Sequence, residues 1–315
     1  MQSILILSIV FFAASGLPIK ELVHSNRILE PSTLPASRYS LKLGRPDLNT
    51  TELIFGGIRA KFGQFPMQAE ISYTSSDGKQ RSCGGSIISA THILTAAHCT
   101  YDLNPPSLSM VGSVSYDVES QNDQFRAISR VVTHPGFDVN NTERLDDIAV
   151  IEISPPFEFN DFVKAATIVS DDEALLQKPT AVVTGYGVYR VENKTGVYST
   201  TLLYTEVDLF PFSFCNESWD GALKDTQFCA GAAGRGAALG DSGGPIQVRY
   251  NGELVQVGIT SFGATNVEDV EHNQDKVPSV FTRVSKYCDF IDEATRGVVI
   301  CGNVPTTVAP STTAF

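Results

Sequence analysis

The sequence predicts an all-β protein closed by a single C-terminal helix, and three observations carry that expectation. From Ile54 onward, short apolar runs recur with turn residues between them. Within the runs, β-branched residues alternate with polar ones, which is the period of strands that bury one face. Helical spacing is nearly absent until residues 285–297, where Tyr287, Phe290, Ile291 and Ala294 share a face and Gly297 supplies a stop.

Taken in order, the chain opens with ILILSIVFFAA at residues 4–14, the one long apolar run, which passes into small residues at Ala14, Ser15 and Gly16. The run is too short to span a bilayer comfortably and has the form of a secretory signal, so residues 1–16 are expected to be a signal peptide. Residues 17–53 are polar, contain prolines and lack sustained periodicity, as a pro-segment would. The strand candidates are QAEISYT, GSIISATHILTAA, ISRVVTH, DIAVIEI, TAVVTGYG, GPIQVRY, LVQVGITSFG and SVFTRV. The folded unit is expected over residues 54–301. The Thr/Pro-rich tail, residues 302–315, is expected to be disordered.

Composition excludes several classes of function. A hydrophobic share of 42% is enough for a packed core and rules out a wholly disordered chain. The formal net charge of -12, with no Lys/Arg cluster, gives no electrostatic reason to bind nucleic acid or an anionic membrane. The six cysteines, in a chain read as exported, suggest disulfides with their pairing left open. No C-x-x-C or H-x-x-x-H spacing is present, so zinc is not expected; the acids between Asp117 and Asp123 make no clear calcium-ligand pattern, and no metal or other cofactor is assigned. Four N-x-S/T acceptors, at Asn49, Asn140, Asn193 and Asn216, agree with export and glycosylation.

Three phrases carry residues able to do chemistry. A serine hydroxyl is a poor nucleophile unless a base lies within hydrogen-bond reach and a third group orients that base. TAAHC offers His98 beside Cys99, and LDDIAVIEI offers Asp147 at the entrance of an apolar strand, where a half-buried carboxylate must find a donor. GDSGGP offers Ser242 in a glycine turn, where peptide N–H groups can approach a ligand unobstructed.

In the order His, Asp, Ser, these contexts resemble the trypsin/chymotrypsin family of serine proteases. The likeness runs from Ile54 to about Gly297 through IFGG, GQFPMQAEI, CGGSIISATHILTAAHC, VVTHPGFD, DDIAVIEI, VVTGYG, FCAG, GDSGGP, GITSFG and PSVFTRV. It implies two six-stranded antiparallel β-barrels with the active site between them. It also implies the disulfides Cys83–Cys99 and Cys215–Cys229, which leaves Cys288 and Cys301 to pair with each other by arithmetic.

The roles implied by the resemblance follow residue by residue. Ser242 attacks the peptide carbonyl, His98 moves the proton and Asp147 holds the imidazole tautomer. Asp147 is favoured over its neighbour Asp146 because the family's aspartate directly precedes the strand's Ile. The backbone N–H groups of Gly240 and Ser242 form the oxyanion hole. Asp241 pairs with the new ammonium of Ile54 after cleavage of a zymogen. Here Leu53, not Arg or Lys, precedes that bond, which points to an activating protease with apolar preference or to the enzyme itself.

Gly236, six residues before the nucleophile, is expected at the floor of the primary specificity pocket, with Gly263 on a wall and Ser279 near the floor. The set is uncharged, and a chymotrypsin-like preference for apolar or aromatic residues is expected. Elastase-like preference for smaller residues stands behind it, and an acid-selective pocket with Arg235 turned inward is the remote alternative. The cysteine pair that braces this pocket in the family is absent: Ala237 and Ala238 stand on one side, and the acidic insertion with Glu268, Asp269, Glu271 and Asp275 on the other. That insertion reads as a solvated charge run. Expected partners are protein or peptide substrates, an activator and proteinaceous inhibitors, with the enzyme secreted and monomeric. The rival from another class is a catalytically silent homologue acting as a binding protein.

Overall fold

The computed structural model describes residues 55–103, 110–113, 123–192 and 195–305. The signal and pro-segment assignments, Leu53 and Ile54, the acceptors Asn49 and Asn193, and the tail after residue 305 lie outside the described residues.

After β1 (Ile58–Arg59), six strands form a closed barrel: β2 (Gln68–Thr74), β3 (Gln80–Ser89), β4 (His92–Thr95), β5 (Met110–Ser113), β6 (Gln124–Thr133) and β7 (Ala149–Ser154). They close in the order β2-β3-β4-β7-β6-β5. Alternation decides which face turns inward: in β2, Ala69, Ile71 and Tyr73 are buried while Ser72 is exposed. Ile71, Ile87, Ile93 and Ile151 share the inward face. Each such side chain removed from water contributes about 1.5–3 kcal/mol.

The second half begins with β8 (Thr167–Ile168), α1 (Glu173–Leu176) and β9 (Thr180–Gly185). A hairpin follows, β10 (Val188–Glu192) and β11 (Thr195–Tyr198), then β12 (Leu203–Leu209), α2 (Phe212–Ser218) and β13 (Gln227–Gly231). β14 (Pro245–Tyr250) and β15 (Glu253–Phe262) come next, then α3 (Val267–His272), β16 (Ser279–Arg283) and α4 (Cys288–Thr295). Antiparallel pairings run β9-β12-β13-β16-β15-β14 and return from β14 to β9, so six strands again form a ring. Asn251 and Gly252, both with positive φ, turn β14 into β15 with Tyr250 opposite Glu253. This is the two-residue loop that an Asn-Gly step favours.

The C-terminal helix starts later than its apolar spacing suggests. Residues 284–287 form a 3-10 turn, and α4 proper spans Cys288–Thr295, ending at left-handed Arg296 and Gly297. Its Ile291 and Ala294 join the core of the first barrel, so the chain crosses back after completing the second. Arg130 of β6 donates to the Ala294 carbonyl at 2.6 Å, capping the helix end. The disulfide Cys288–Cys301 pins the following segment, and Cys83–Cys99 and Cys215–Cys229 complete the set, with no free cysteine among the described residues. Three short helices, α1 to α3, interrupt what the sequence predicts as an otherwise strand-only region.

The two barrels meet at glycines. The Gly84 N–H of β3 donates to the Ser242 carbonyl at 2.7 Å, and a Cβ on Gly84 would lie 2.8 Å from the Gly244 Cα. Side chains there would hold the GDSGGP turn away from the first barrel.

Candidate active site

His98 sits in a 3-10 turn, Ala97–Cys99, directly after β4, and the Cys83–Cys99 bond ties that turn back to β3. Asp147 lies just before β7, the strand paired with β4, so the barrel register brings the two together. His98 Nδ1 stands 2.8 Å from Asp147 Oδ2, and the His98 backbone N–H donates to Asp147 Oδ1 at 2.8 Å. The carboxylate side chain is 0% exposed and the imidazole 14% exposed. A buried carboxylate needs several donors. Beyond those of His98, Ser261 Oγ of β15 donates to Oδ2 at 2.5 Å. Thr282 Oγ1 of β16 donates to the Asp147 backbone carbonyl at 3.0 Å. Burial raises this carboxyl, yet the His98 imidazole and the hydrogen bonds from His98 and Ser261 together outweigh it and hold it below the usual carboxylate range.

Asp146 faces elsewhere. Its positive φ of 55° turns the backbone between the two acids. Its Oδ1 accepts from the Tyr287 hydroxyl at 2.9 Å, and its Oδ2 stands 3.9 Å from His134 Nδ1.

Ser242 is half-buried in the GDSGGP turn. Among the described residues its hydroxyl makes no hydrogen bond, so the serine–imidazole half of the constellation is open while the imidazole–carboxylate half is closed. Such contacts commonly tighten only when substrate binds. His98 Nε2 lies 3.8 Å from Cys99 Sγ. The N–H groups of Asp241, Gly243 and Gly244 are each used internally, by the carbonyls of Ala238, Thr260 and Asp241. Among the described residues, those of Gly240 and Ser242 donate to no protein acceptor. Two free N–H donors flanking a hydroxyl form a ready site for a developing oxyanion. Gly240, at φ 99°, packs so tightly that a Cβ would lie 2.8 Å from the Tyr198 ring.

Asp241 is wholly buried behind this turn and accepts from the Gly187 N–H at 2.8 Å and the Ala238 N–H at 2.9 Å. Burial pushes its carboxyl up to about 6 against the pull of those two hydrogen bonds. Phe55 is buried, and the Gly56 carbonyl accepts from Thr205 Oγ1 of β12 at 3.4 Å, so the chain just after Ile54 is docked on the second barrel.

A protein-family model described as Trypsin matches residues 54–291. The chain belongs to the trypsin family of serine proteases. Curated relatives agree. Chymotrypsin-like elastase family member 1 of Rattus norvegicus is 30% identical over 246 residues, 77% of this chain and 90% of the relative. Chymotrypsin-C of Mus musculus is 31% identical over 252 residues, 78% of this chain and 90% of the relative. Serine protease snk of Drosophila melanogaster is 31% identical over 267 residues, 79% of this chain and 58% of the relative. As a trypsin-family member the protein is a serine endopeptidase, a hydrolase acting on protein substrates.

In this trypsin-family chain, the residues expected at the primary pocket do cluster. Ser279 is buried at the start of β16, and a Cβ on Gly263 would lie 2.9 Å from its hydroxyl. Ala237 is buried next to Gly236, whereas Leu239 is 71% exposed. Arg235 is exposed, and its side chain lies against Gly56 rather than turned inward. The acidic insertion begins as a helix without buried residues: α3 is capped by Asn266, which accepts from the Asp269 N–H at 2.8 Å. Glu268 and Asp269 occupy the first turn, where the helix dipole favours acids.

Two residues went unpredicted. Ser261 stands inside GITSFG, but no local pattern tells that its hydroxyl meets a carboxylate from the other barrel. Gln274, beyond α3, is 2% exposed and hydrogen-bonded into the pocket region. The absence of the bracing cysteine pair was the available signal, since something else must join those two segments. Of the glycan acceptors described, Asn140 is exposed in a loop, and Asn216 is half-buried in α2 with its Oδ1 accepting from the Leu223 N–H.

Proposed function

We propose that the chain is a secreted serine endopeptidase, made as a zymogen, that cleaves peptide bonds through Ser242, His98 and Asp147. The support is a buried, oriented His98–Asp147 pair and, docked on the same barrel through the Gly84 N–H, a serine turn with two uncommitted N–H groups. In the reaction, His98 Nε2 takes the Ser242 proton as Oγ bonds to the carbonyl carbon. The carbonyl oxygen gains the charge and meets the N–H groups of Gly240 and Ser242. His98 then returns the proton to the leaving amine, and water repeats the sequence on the acyl-enzyme. Asp147 keeps Nδ1 protonated, so Nε2 is the nitrogen that takes the proton and gives it back.

The pocket around Gly236, Gly263 and Ser279 has no charge and suits an apolar residue before the scissile bond. Cleavage before Ile54 would release an ammonium for Asp241, whose burial without a cation is costly. The apolar Leu53 makes an apolar-preferring activator, or the enzyme itself, the agent. Secretion is supported by the apolar leader and the three disulfides. Protein inhibitors of serine proteases are expected partners, no metal or other cofactor is needed, and a monomer suffices.

The test is covalent labelling by a fluorophosphonate after verified cleavage before Ile54. Labelling of the wild type and none of Ser242→Ala is expected. An unlabelled wild type would instead indicate a silent homologue that binds without cleaving.

A further inference from the structure

We propose that Gln274 is a specificity-determining residue that fills the floor of the primary pocket, so that the enzyme prefers short apolar residues over aromatic ones before the scissile bond. This rests on the proteolytic reading above and narrows it.

The geometry places the Gln274 carboxamide where the side chain of residue 236 would otherwise project. A Cβ built on Gly236 would collide with Gln274 Oε1, with Cδ 2.5 Å and Nε2 3.0 Å away. On the opposite side, a Cβ on Gly231 of β13 would collide with the Gln274 backbone carbonyl. Two glycines therefore form the cradle, one for the main chain of Gln274 and one for its amide. The amide is fixed by its hydrogen bonds. Nε2 donates to the Ala237 carbonyl at 3.0 Å and to the Val270 carbonyl at 3.0 Å, and Oε1 accepts from Ser279 Oγ at 3.1 Å. Both amide protons are used, and the group is buried.

Ala237 and Ser279 are neighbours of the expected pocket, so a single side chain joins the segment before Ser242 to the segment before β16. It braces the region that lacks a disulfide, and it occupies depth. A glycine at 236 therefore does not open the pocket, because the space it vacates holds a side chain delivered from the insertion. A satisfied, immobile amide at the floor offers a long side chain no room. Even one methylene of misfit in an apolar pocket is worth about 10–200-fold in specificity.

The test uses the full chain cleaved before Ile54 and peptide anilides that differ only in the residue before the scissile bond: Ala, Val, Leu or Phe. The wild type is expected to favour the best of the three aliphatic substrates over Phe by about 10-fold or more in kcat/KM. Gln274→Ala should shift the Phe-to-aliphatic ratio toward Phe by a similar factor. Gln274→Met, which keeps the volume but loses the hydrogen bonds, should retain the wild-type order and stands in if the alanine variant fails to fold. The proposal is overturned by a wild type that prefers Phe, by an unchanged ratio in a Gln274→Ala enzyme that still labels with fluorophosphonate, or by a Gln274→Met enzyme that shifts toward Phe. Failure of the wild type to label would remove the proteolytic reading itself, and this proposal with it.

Discussion

Ser261, on a strand of the second barrel, donates its hydroxyl to the Asp147 oxygen that also receives His98 Nδ1 from the first barrel. The carboxylate is thereby held from both sides of the cleft. Replacing Ser261 by Ala should remove one hydrogen bond to a buried charge, worth about 1.5–3 kcal/mol. Asp147 has a depressed carboxyl, so its stabilising contribution is present above the ordinary carboxylate range and lost as pH falls through its folded-state value. With Ser261→Ala that value rises, and the acid-side loss of stability moves to higher pH. Urea unfolding across pH in a Ser242→Ala background, which prevents self-digestion, measures it.

Asp147→Asn should preserve the fold, because the amide retains one acceptor oxygen, yet it presents the wrong partner to His98 Nδ1. A fall in kcat of about 10,000-fold is expected, with circular dichroism unchanged. The Asp146→Asn variant, by contrast, should lose less than tenfold in kcat, as Asp146 meets Tyr287 and not His98.

Gly243 has φ 79°, and a Cβ there would collide with Thr95 Oγ1 and approach the Ala96 nitrogen to 3.2 Å. Gly243→Ala should incur about 1–2 kcal/mol for the left-handed backbone and about 1–3 kcal/mol for the forced contact. Gly252, with φ 87° and nothing within 4 Å of where a Cβ would lie, isolates the first contribution. Calorimetry should therefore show a larger fall in Tm for Gly243→Ala than for Gly252→Ala, and hydrolysis should fail only in the former.

Asp241 gives a pH signature to the uncleaved chain. Its carboxyl is raised to about 6 by burial, so the stabilisation is full below the ordinary carboxylate value and disappears as pH rises through about 6. Unfolding free energy of the uncleaved Ser242→Ala protein should decline over that window, and Asp241→Asn should flatten the decline. In the cleaved protein an adjacent ammonium would keep the carboxylate charged, and the same slope should vanish. A slope that survives cleavage would remove the ammonium from the account.

Strands rich in β-branched residues and bounded by turn residues were legible in the sequence, whether one face is exposed, as in β2, or most of the strand is buried, as in β9. QAEISYT coincides with β2, and DIAVIEI, TAVVTGYG and GPIQVRY fall on β7, β9 and β14 within a residue or two at each end. β12, LYTEVDL, alternates as clearly and could have been read from Leu203, Thr205 and Val207 inward against Glu206 and Asp208 outward. β13, QFCAG, is buried along its whole length and carries no period to detect. The short helices escaped for a different reason: α3 has no buried residue, so no apolar stripe marks it, and only the Asn266 cap and its early acids speak for it. At the site, residues fixed by motif were legible one by one. Ser261 and Gln274 act across the fold, and a hydroxyl or amide in a sequence does not reveal its distant acceptor.

The contact between Gly84 and Gly244 carries a consequence for how the molecule fails. His98 and Asp147 belong to one barrel, Ser242 to the other, and at Gly84 and Gly244 backbone meets backbone with no side chain between them to absorb a shift. A displacement there by one strand residue, about 3.3 Å, equals the full reach of a hydrogen bond. Each barrel can keep its own core intact while the chemistry between them is lost, which makes proteolytic activity a finer gauge of the seam than any measure of folded content.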